Sequence, residues 1–321
     1  KQITTTKKSL NFDKLENIDA VVYQRENTDN NESRGFLAGQ VDGHQYRYGF
    51  TAEANVFFPT FTSEYDLITR NFDKVSIFGM QMVHTGNIAD TTAVTADGGE
   101  VAKSVSMAGT NTSWLANDDG NFQVYAVRDS SNSKNVKFVL ESLHSNVRPF
   151  PKLESETFFD VYDNSSWNLS VRLKPSNYPF SHVVSGSGTY TFDLIFQGYN
   201  TELGVVKNSF SVSNSISQVS GSNFIKAGKR LHLGAYRKNV TGSFDNDSRM
   251  KSDINVSSVK VWTRYIEDNA LLQHAADINN LGITGSFQNI SPKDSNSDQY
   301  DILNTNTLAL AWNFNNVTQS D

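Results

Sequence analysis

The chain has 321 residues, of which 37% are hydrophobic and 19% charged; its formal net charge is −6 and it contains no cysteine. The acidic balance excludes a protein held to nucleic acid by a basic surface, and disulfides and thiolate metal sites cannot form without cysteine. No apolar run approaches the ~20 residues of a membrane-spanning helix, whereas 21 phenylalanines and 12 tyrosines are enough for a large core.

Strand-like stretches begin after a polar N-terminal region. Residues 1–40 show little hydrophobic pattern, and Arg25 to Gly35 (RENTDNNESRG) has the composition of a loop, so we expect an extended segment or linker there. Short strand patterns then recur between Gly, Asn, Asp and Pro: HQYRYGFTAEANVFFPTF, KVSIFGMQMV, NFQVYAVRD, NVKFVLES, WNLSVRLKP, TYTFDLIFQGYN, NSFSVSNSI, RLHLGAYRK and INVSSVKVWTR. Many short strands with turn signals predict an all-β sandwich or barrel.

The pattern changes after the strand INVSSVKVWTR. Glu267 and Asp268 open a segment in which alanine and leucine replace the β-branched residues, and such helix formers behind an acidic start are typical of a helix N-terminus. The sequence therefore predicts one short helix near Asp268–Ala276 in an otherwise β chain.

The last strand pattern, TLALAWNFNNV, has one apolar face, formed by Leu308, Leu310, Trp312 and Phe314. An apolar strand face must be buried, and two partners are possible. The strand could close the sandwich of residues 41–283; we expect instead that residues 284–321 are a linker and a strand that leads into or pairs with a neighbouring module. We interpret both ends of the chain as those of a segment from a longer polypeptide.

Three stretches carry a resemblance to a known fold: NTSWLANDDGNFQVYAVRD, RLHLGAYRKNVTGSFDNDSRM and INVSSVKVWTRYIEDNALLQHAADINNLG. Together they resemble the laminin G-like domains of the concanavalin A-like lectin/glucanase fold, over residues 41–283. The resemblance implies a jelly-roll β-sandwich whose short helix closes an open end, with Leu271, Leu272 and Ala275 against the core.

A second resemblance is narrower. The pattern LALAWNF-x-x-V-T is similar to the start of modules that recur in long virion structural proteins of large contractile-tailed phages of marine bacteria. It implies a non-enzymatic virion segment for assembly or surface display, with other virion proteins or copies of itself as partners. The alternative is a carbohydrate-binding module that recognises host surface glycans. Neither nucleic acid nor a membrane is an expected partner.

Catalytic carboxylates were sought because glucanases of this superfamily carry an E-x-D-x-x-E strand motif, whose acids share one face. Glu64 and Asp66 fit the first two positions, but Thr69 stands at the third. A second acidic stretch, ESETFFDVYD, has the wrong spacing; its carboxylates are Glu154, Glu156, Asp160 and Asp163. Without a paired acid and nucleophile there is no route to hydrolysis, so we expect no enzyme activity.

Histidine and tryptophan offer no clear site. No two histidines stand at metal-ligand spacing, and we expect His232 to point outward from its strand. The other five are His44, His84, His144, His182 and His274. The four tryptophans lie inside strand patterns, where core packing is the favoured interpretation over a sugar platform; they are Trp114, Trp167, Trp262 and Trp312.

Calcium is the one plausible ion, since hard cations bind carboxylate and carbonyl oxygens. Two loops cluster such groups: Asp118, Asp119 and Asn121 in one, and Asp245, Asn246 and Asp247 in the other. Ordinary turn chemistry also explains both clusters and is the interpretation we favour over calcium binding, so no cofactor is expected.

Overall fold

The computed structural model describes residues 10–11, 20–24, 49–60, 74–83, 121–130, 133–142, 150–176, 191–218, 220–221, 224, 228–234, 236–237, 249–250, 252–281 and 308–314. Most of these residues lie in β-strands. The strands are β1 (Leu10–Asn11), β2 (Ala20–Gln24), β3 (Phe50–Phe58), β4 (Lys74–Val83), β5 (Asn121–Arg128), β6 (Val136–Glu141), β7 (Leu153–Phe158), β8 (Ser165–Pro175), β9 (Phe192–Glu202), β10 (Val205–Ile216), β11 (Gly228–Leu233), β12 (Tyr236–Arg237), β13 (Arg249–Met250), β14 (Asn255–Trp262) and β15 (Leu308–Asn313).

One helix, α1 (Asp268–Ala276), lies where the sequence predicts it. A few further helical residues, which the sequence pattern did not indicate, lie between β10 and β11: Gln218, Ser220, Gly221 and Phe224. The predicted all-β sandwich with a short helix near its end is confirmed. No helix of the described residues has the length and apolar character needed to cross a membrane.

Two antiparallel sheets form the sandwich. The seven-stranded sheet has the order β1-β14-β3-β8-β9-β10, with β15 also paired to β14, and the six-stranded sheet has the order β2-β11-β4-β5-β6-β7. Strands β12 and β13 form a separate pair. The central strand of the larger sheet, β3, is therefore flanked by β8 and β14, which are far from it in the sequence.

Successive side chains of β3 point alternately to the core between the sheets and to the outer face of the seven-stranded sheet. Phe50, Ala52 and Ala54 belong to the main core between the sheets, whereas Thr51 and Glu53 point to the opposite face of their sheet, and all five are fully buried. The larger sheet is thus covered on both sides at β3. An antiparallel sheet usually leaves one face to water, so the covering of the second face marks this region as unusual.

An aromatic cluster joins the two sheets near β7 and β10. The Trp167 ring lies 4.7 Å from that of Phe138 and 4.9 Å from that of Phe158, measured between centroids, and Phe210 stacks on Phe138 at 5.6 Å. A side chain at Gly198 would collide with the Phe210 ring, so the glycine makes room for this anchor of β10. The predicted core position of Trp167 is confirmed.

Helix α1 packs on the outer face of the seven-stranded sheet, on Trp262 and Ile266. The expectation that it closes an open end of the sandwich with Leu272 against the core is therefore wrong. The helix face that is buried contains Leu271 and Ala275 together with His274, whereas Leu272 remains 39% exposed. The physical reason is the large apolar surface that Trp262 and Ile266 present beside the buried imidazole.

Strand β15 belongs to the same sandwich. It pairs antiparallel with β14, with Trp312 opposite Val259 and Leu310 opposite Val261, and Phe314 is buried in the main core. The expected pairing of this strand with a neighbouring module is corrected, because its apolar face is covered within the domain. Strand β1 pairs with β14 in the seven-stranded sheet, and β2 pairs with β11 in the six-stranded sheet. The boundaries at residues 40 and 283 themselves stay a prediction.

Replacing Phe314 by alanine tests whether β15 contributes to the core. We expect Phe314→Ala to lower the free energy of unfolding by about 3–5 kcal/mol, because a fully buried ring is lost and a cavity remains. Phe314 directly follows β15; within the strand, the substitution Ala311→Ser at an exposed position should change the free energy of unfolding by less than about 0.5 kcal/mol. Urea unfolding followed by fluorescence measures both. Equal small effects would show that β15 is dispensable.

Candidate functional site

Polar and ionisable side chains, most of them buried, lie beneath or beside α1 on the outer face of the seven-stranded sheet. We call this surface the helix-covered face. Its members come from β3, β8, β9, β14, α1 and the segment between β14 and α1: Glu53, Asn168, Arg172, Gln197, Tyr199, Lys260, Trp262, Tyr265 and His274. Charged side chains are rarely buried unless they are paired, so the partners of each one determine what this surface can do.

Glu53 lies at the centre of the helix-covered face. Its Oε1 is 2.8 Å from His274 Nδ1 and accepts a hydrogen bond of 2.8 Å from the indole Nε1 of Trp262. Its Oε2 accepts a hydrogen bond of 3.1 Å from Asn168 Nδ2. The imidazole of His274 also stacks on the Trp262 ring, with centroids 5.4 Å apart and planes 13° apart. The carboxylate therefore ties the helix to three strands.

The ionised form of Glu53 is strongly favoured. Burial raises the pKa of this carboxyl, but the charge and hydrogen bond of His274, the charge of Lys260 and the indole of Trp262 outweigh it and lower the pKa to about 2. A carboxylate in this state accepts hydrogen bonds and neutralises cations. It is poorly suited to donate a proton near neutral pH.

Lys260 stands opposite Glu53 on the neighbouring strand. It is 4% exposed, and its Nζ has no hydrogen-bond partner in the part of the chain described. Burial lowers the pKa of Lys260, while the charges of Glu53 and Asp277 oppose that shift. The ammonium thus acts at a distance, as a counter-charge to the carboxylate.

Arg172 ties the start of α1 to the sheet. Its Nη1 donates to Tyr265 Oη at 2.9 Å and to the Ile266 carbonyl at 2.8 Å, and it lies 2.7 Å from Asp268 Oδ1. Its Nη2 contacts the Gln197 amide oxygen. Asp268 is in the first turn of the helix, where an acidic side chain is favoured by the helix dipole. The guanidinium therefore holds the helix N-terminus in place.

A second feature lies at the β9–β10 hairpin, where the turn consists of Leu203 and Gly204. Both have positive φ, 52° and 79°, which is the backbone of the tightest hairpin turns. Leu203 is 95% exposed, and the neighbouring Val205 and Val206 are 60% and 36% exposed. We call these three side chains the hairpin tip. They form an aliphatic projection on an otherwise polar hairpin.

The carboxylates that the sequence singled out do not come together in the described part of the chain. Glu154 and Glu156 are exposed on β7, where Glu154 pairs with lysines of β6 and of the preceding segment. Asp163 lies 3.2 Å from Lys134 Nζ, and Asp160 is exposed in a turn with positive φ. Three further positions lie outside the described residues: Glu64, Asp66 and Thr69. The expected lack of enzyme activity therefore stays a prediction.

The calcium candidates are mostly outside the described residues. Asn121 begins β5, whereas the others cannot be placed: Asp118, Asp119, Asp245, Asn246 and Asp247. Within the described ranges, no group of three or more His, Asp or Glu side chains could hold a metal ion. Calcium binding stays a prediction.

Two histidines are described, and both are buried. His232 is 2% exposed on β11, between core residues Leu231 and Leu233. It points outward from the core, as expected, but it is covered by other residues instead of reaching solvent. His274 was not recognised from the sequence. Trp312 packs against the core as predicted, whereas Trp262 packs beneath α1 instead. The remaining positions lie outside the described residues: His44, His84, His144, His182 and Trp114.

Glu53 had one sequence signal that reasoning from motifs missed. It stands alone between Ala52 and Ala54 in an apolar strand, flanked by small residues that leave space around it. A lone acid at a central strand position needs a buried partner. The partner, His274, lies 221 residues later, which no local pattern reveals.

No protein-family model and no curated protein matches the sequence. Among solved structures, the chain is similar to the enzymatically active domain of tailspike protein 2 of bacteriophage CBA120, with a TM-score of 0.36 and 10% identity over 72% of this chain and 24% of that one. It is also similar to the LG1-3 region of the laminin alpha2 chain, with a TM-score of 0.32 and 9% identity over 78% of this chain and 32% of that one.

An alginate lyase in complex with alginate trisaccharide is similar as well, with a TM-score of 0.31 and 11% identity over 77% of this chain and 81% of that one. The chain thus spans about a quarter of the tailspike domain and a third of the laminin region.

Acid titration tests the role of Glu53. Because its pKa is about 2 in the folded protein and 4.5 ordinarily, it stabilises the fold fully above pH 4.5 and progressively less as the pH falls towards 2. We expect Glu53→Gln to lose about 3–5 kcal/mol at neutral pH, because the buried Lys260 loses its counter-charge and the Trp262 indole loses its carboxylate acceptor. The variant should also show a shallower decline in acid. Urea unfolding at a series of pH values measures both.

The matched control for this titration is Glu156→Gln on the exposed face of β7. It should change the free energy of unfolding by less than about 0.5 kcal/mol. An acid decline of the same steepness in Glu53→Gln and in the unmodified chain would show that another group causes it.

Proposed function

We propose that the chain is a non-enzymatic structural segment of a virion protein, whose β-sandwich binds neighbouring proteins of the particle or is displayed on its surface. The single observation that carries this proposal is the exposed aliphatic hairpin tip, Leu203, Val205 and Val206. The similarity of the LALAWNF pattern to modules of long phage virion proteins supports the particle as the setting. Localisation in a virion follows from the same proposal.

The hairpin tip costs stability in two ways. A non-glycine residue in the left-handed region costs about 1–2 kcal/mol, and Leu203 occupies that region with φ 52°. Its side chain also exposes nearly all of its apolar surface and so adds nothing to the core. Asparagine or glycine would suit this turn better. A costly leucine at a projecting turn is explained by a contact that it makes with another molecule.

The helix-covered face supports a non-enzymatic role. Glu53 and His274 are fully buried and bonded to each other, and Arg172 is paired with Asp268. A reactant would have to displace α1 to reach any of them. Their contacts serve to attach the helix, which is a structural task.

Glycan recognition is the second candidate, and one observation favours it. Tyr199 is only half-buried on the outer face of β9, and its cross-strand neighbour on β10 is the exposed Ser209. Ser211 lies two positions further along the same face of β10 and is also exposed. An aromatic ring beside hydroxyl groups offers both stacking and hydrogen bonds to a sugar.

Replacing Leu203 by asparagine separates a structural role of the tip from a binding role. Asparagine tolerates positive φ, so Leu203→Asn should raise the free energy of unfolding by up to about 1 kcal/mol. Leu203→Ala shortens the side chain without relieving the backbone and serves as the control, with little change expected. Urea unfolding measures both. A destabilised Leu203→Asn variant would show that the leucine serves the fold.

A panel of polysaccharides distinguishes a structural segment from a glycan-binding module and from a polysaccharide-degrading enzyme. The chain is incubated with alginate and β-glucans, and reducing ends and the ultraviolet absorbance of unsaturated uronates are followed; in parallel it is applied to a glycan array. We expect no degradation and no glycan binding. Degradation would overturn the non-enzymatic proposal. Glycan binding that Tyr199→Ala abolishes, with the fold intact by circular dichroism, would favour the second candidate.

A further inference from the structure

Among the described strands, β10 forms one end of the seven-stranded sheet and has a long edge with no second strand paired to it. It is a 12-residue strand, and among the described strands it pairs only with β9. The register is interrupted once, between Val206 and Asn208, so that the pairing from Asn208 to Ile216 is regular. The free edge of β10 therefore offers nine consecutive residues in regular strand geometry. Unpaired edges of this length are sites where another strand can add.

Strand β7, at the edge of the six-stranded sheet, has features that protect an edge strand against pairing with another chain. Strand β7 is six residues long, and its exposed positions are Glu154 and Glu156, of which Glu154 pairs with lysines. Natural edge strands avoid unwanted pairing by being short and charged. In β10, by contrast, Lys207 is the sole charged residue, and Asn208 to Ile216 contain neither a charge nor a proline. This edge lacks the usual defences.

The side chains of β10 are complementary to themselves. Serines occupy every second position on its outer face: Ser209, Ser211, Ser213 and Ser215. An antiparallel pair of two β10 strands about a two-fold axis at Val212 places Ser211 opposite Ser213 and Ser209 opposite Ser215. The two Val212 side chains, each half-buried against its own core, then meet on the inner face. Such hydroxyl and apolar pairs stabilise neighbouring strands.

The same arrangement keeps like charges apart. Lys207 lies five positions before Val212, so ten residue steps separate the two lysines of the pair. At ~3.4 Å per residue, this distance is about 34 Å, well beyond the screening length of physiological salt. The inner face is firmly anchored because Phe210 and Ile216 are buried in the core, so the edge is preformed and little ordering is needed for pairing.

We propose that β10 binds β10 of a second copy of this chain, in an antiparallel pair centred on Val212, so that the two seven-stranded sheets become continuous. The proposal rests on the proposed function, for which it names a partner. Isologous two-fold contacts of this kind are the commonest way in which identical chains associate.

Sedimentation velocity of the full chain over a concentration series tests the pairing. The unmodified chain should form a reversible dimer. In Ser211→Lys/Ser213→Lys, lysines stand directly opposite lysines, and we expect dimerisation to weaken about tenfold or more. Ser211→Glu/Ser213→Glu should weaken it for the same reason. Ser211→Thr/Ser213→Thr is the matched uncharged control and should keep the dimer.

Mixing the lysine and glutamate variants is the decisive measurement. In the proposed register each lysine then faces a glutamate of the other copy, so the mixture should recover the dimerisation that is weakened in each variant alone. Circular dichroism establishes that each variant is folded. Amide hydrogen exchange adds a readout without substitutions, because the β10 amides of the unmodified chain should become more protected as its concentration rises.

Three results would overturn the proposal. These are a monomeric unmodified chain, a lysine variant that dimerises as well as the unmodified chain, and a mixture of folded variants that stays monomeric. A monomer that degrades no polysaccharide would refute the self-pairing and leave the structural role standing. Degradation of polysaccharide would refute the proposed function whatever the state of association.

Discussion

The arrangement of the larger sheet depends on one buried carboxylate. Glu53 stands at the centre of β3, and its oxygens contact His274 of α1, Trp262 of β14 and Asn168 of β8. A buried charge that loses its partners is costly, so the helix cannot leave this surface without exposing an unfavourable state. The carboxylate therefore fixes the position of α1, and α1 in turn closes a sheet face that could otherwise have held a ligand. Among the described elements, the β9–β10 hairpin keeps exposed side chains at its turn and along β10.

The β9–β10 hairpin combines a rigid base with a polar, open exterior. Phe210 anchors β10 through the ring contacts with Phe138 and Trp167, and Gly198 leaves room for it. Because the inner face is fixed in this way, the outer face is free to carry small hydroxyl side chains that add little to stability. The hairpin tip and the unpaired edge of β10 offer two kinds of contact on this one hairpin. The first is an apolar projection, and the second is a row of unpaired backbone groups.

The sequence predicted elements well and their neighbours poorly. Alternation in INVSSVKVWTR and the helix formers after Asp268 located β14 and α1, because both signals are local. The helix was assigned the wrong surface, since Leu272 looks as suitable for burial as Leu271, and only the stacking of His274 on Trp262 decides between them. Likewise, the pattern LALAWNF predicts an apolar strand face but does not indicate that the strand pairs with β14. Long-range pairs such as Glu53 with His274 leave no periodic trace.

The position of β3 between distant strands has a consequence for biosynthesis. Its contacts with β8 and β14 span separations such as the 115 residues between Glu53 and Asn168 and the 209 between Glu53 and Trp262. A topology dominated by such distant pairs folds slowly. On the ribosome, β3 emerges long before β14 is translated. Until then its apolar residues and its backbone hydrogen-bonding groups lack their partners on β14. During that interval the nascent chain is exposed to aggregation and to capture by chaperones. That interval ends only after residues 255–276 have been translated, because this segment supplies the indole of Trp262 and the imidazole of His274 that contact Glu53.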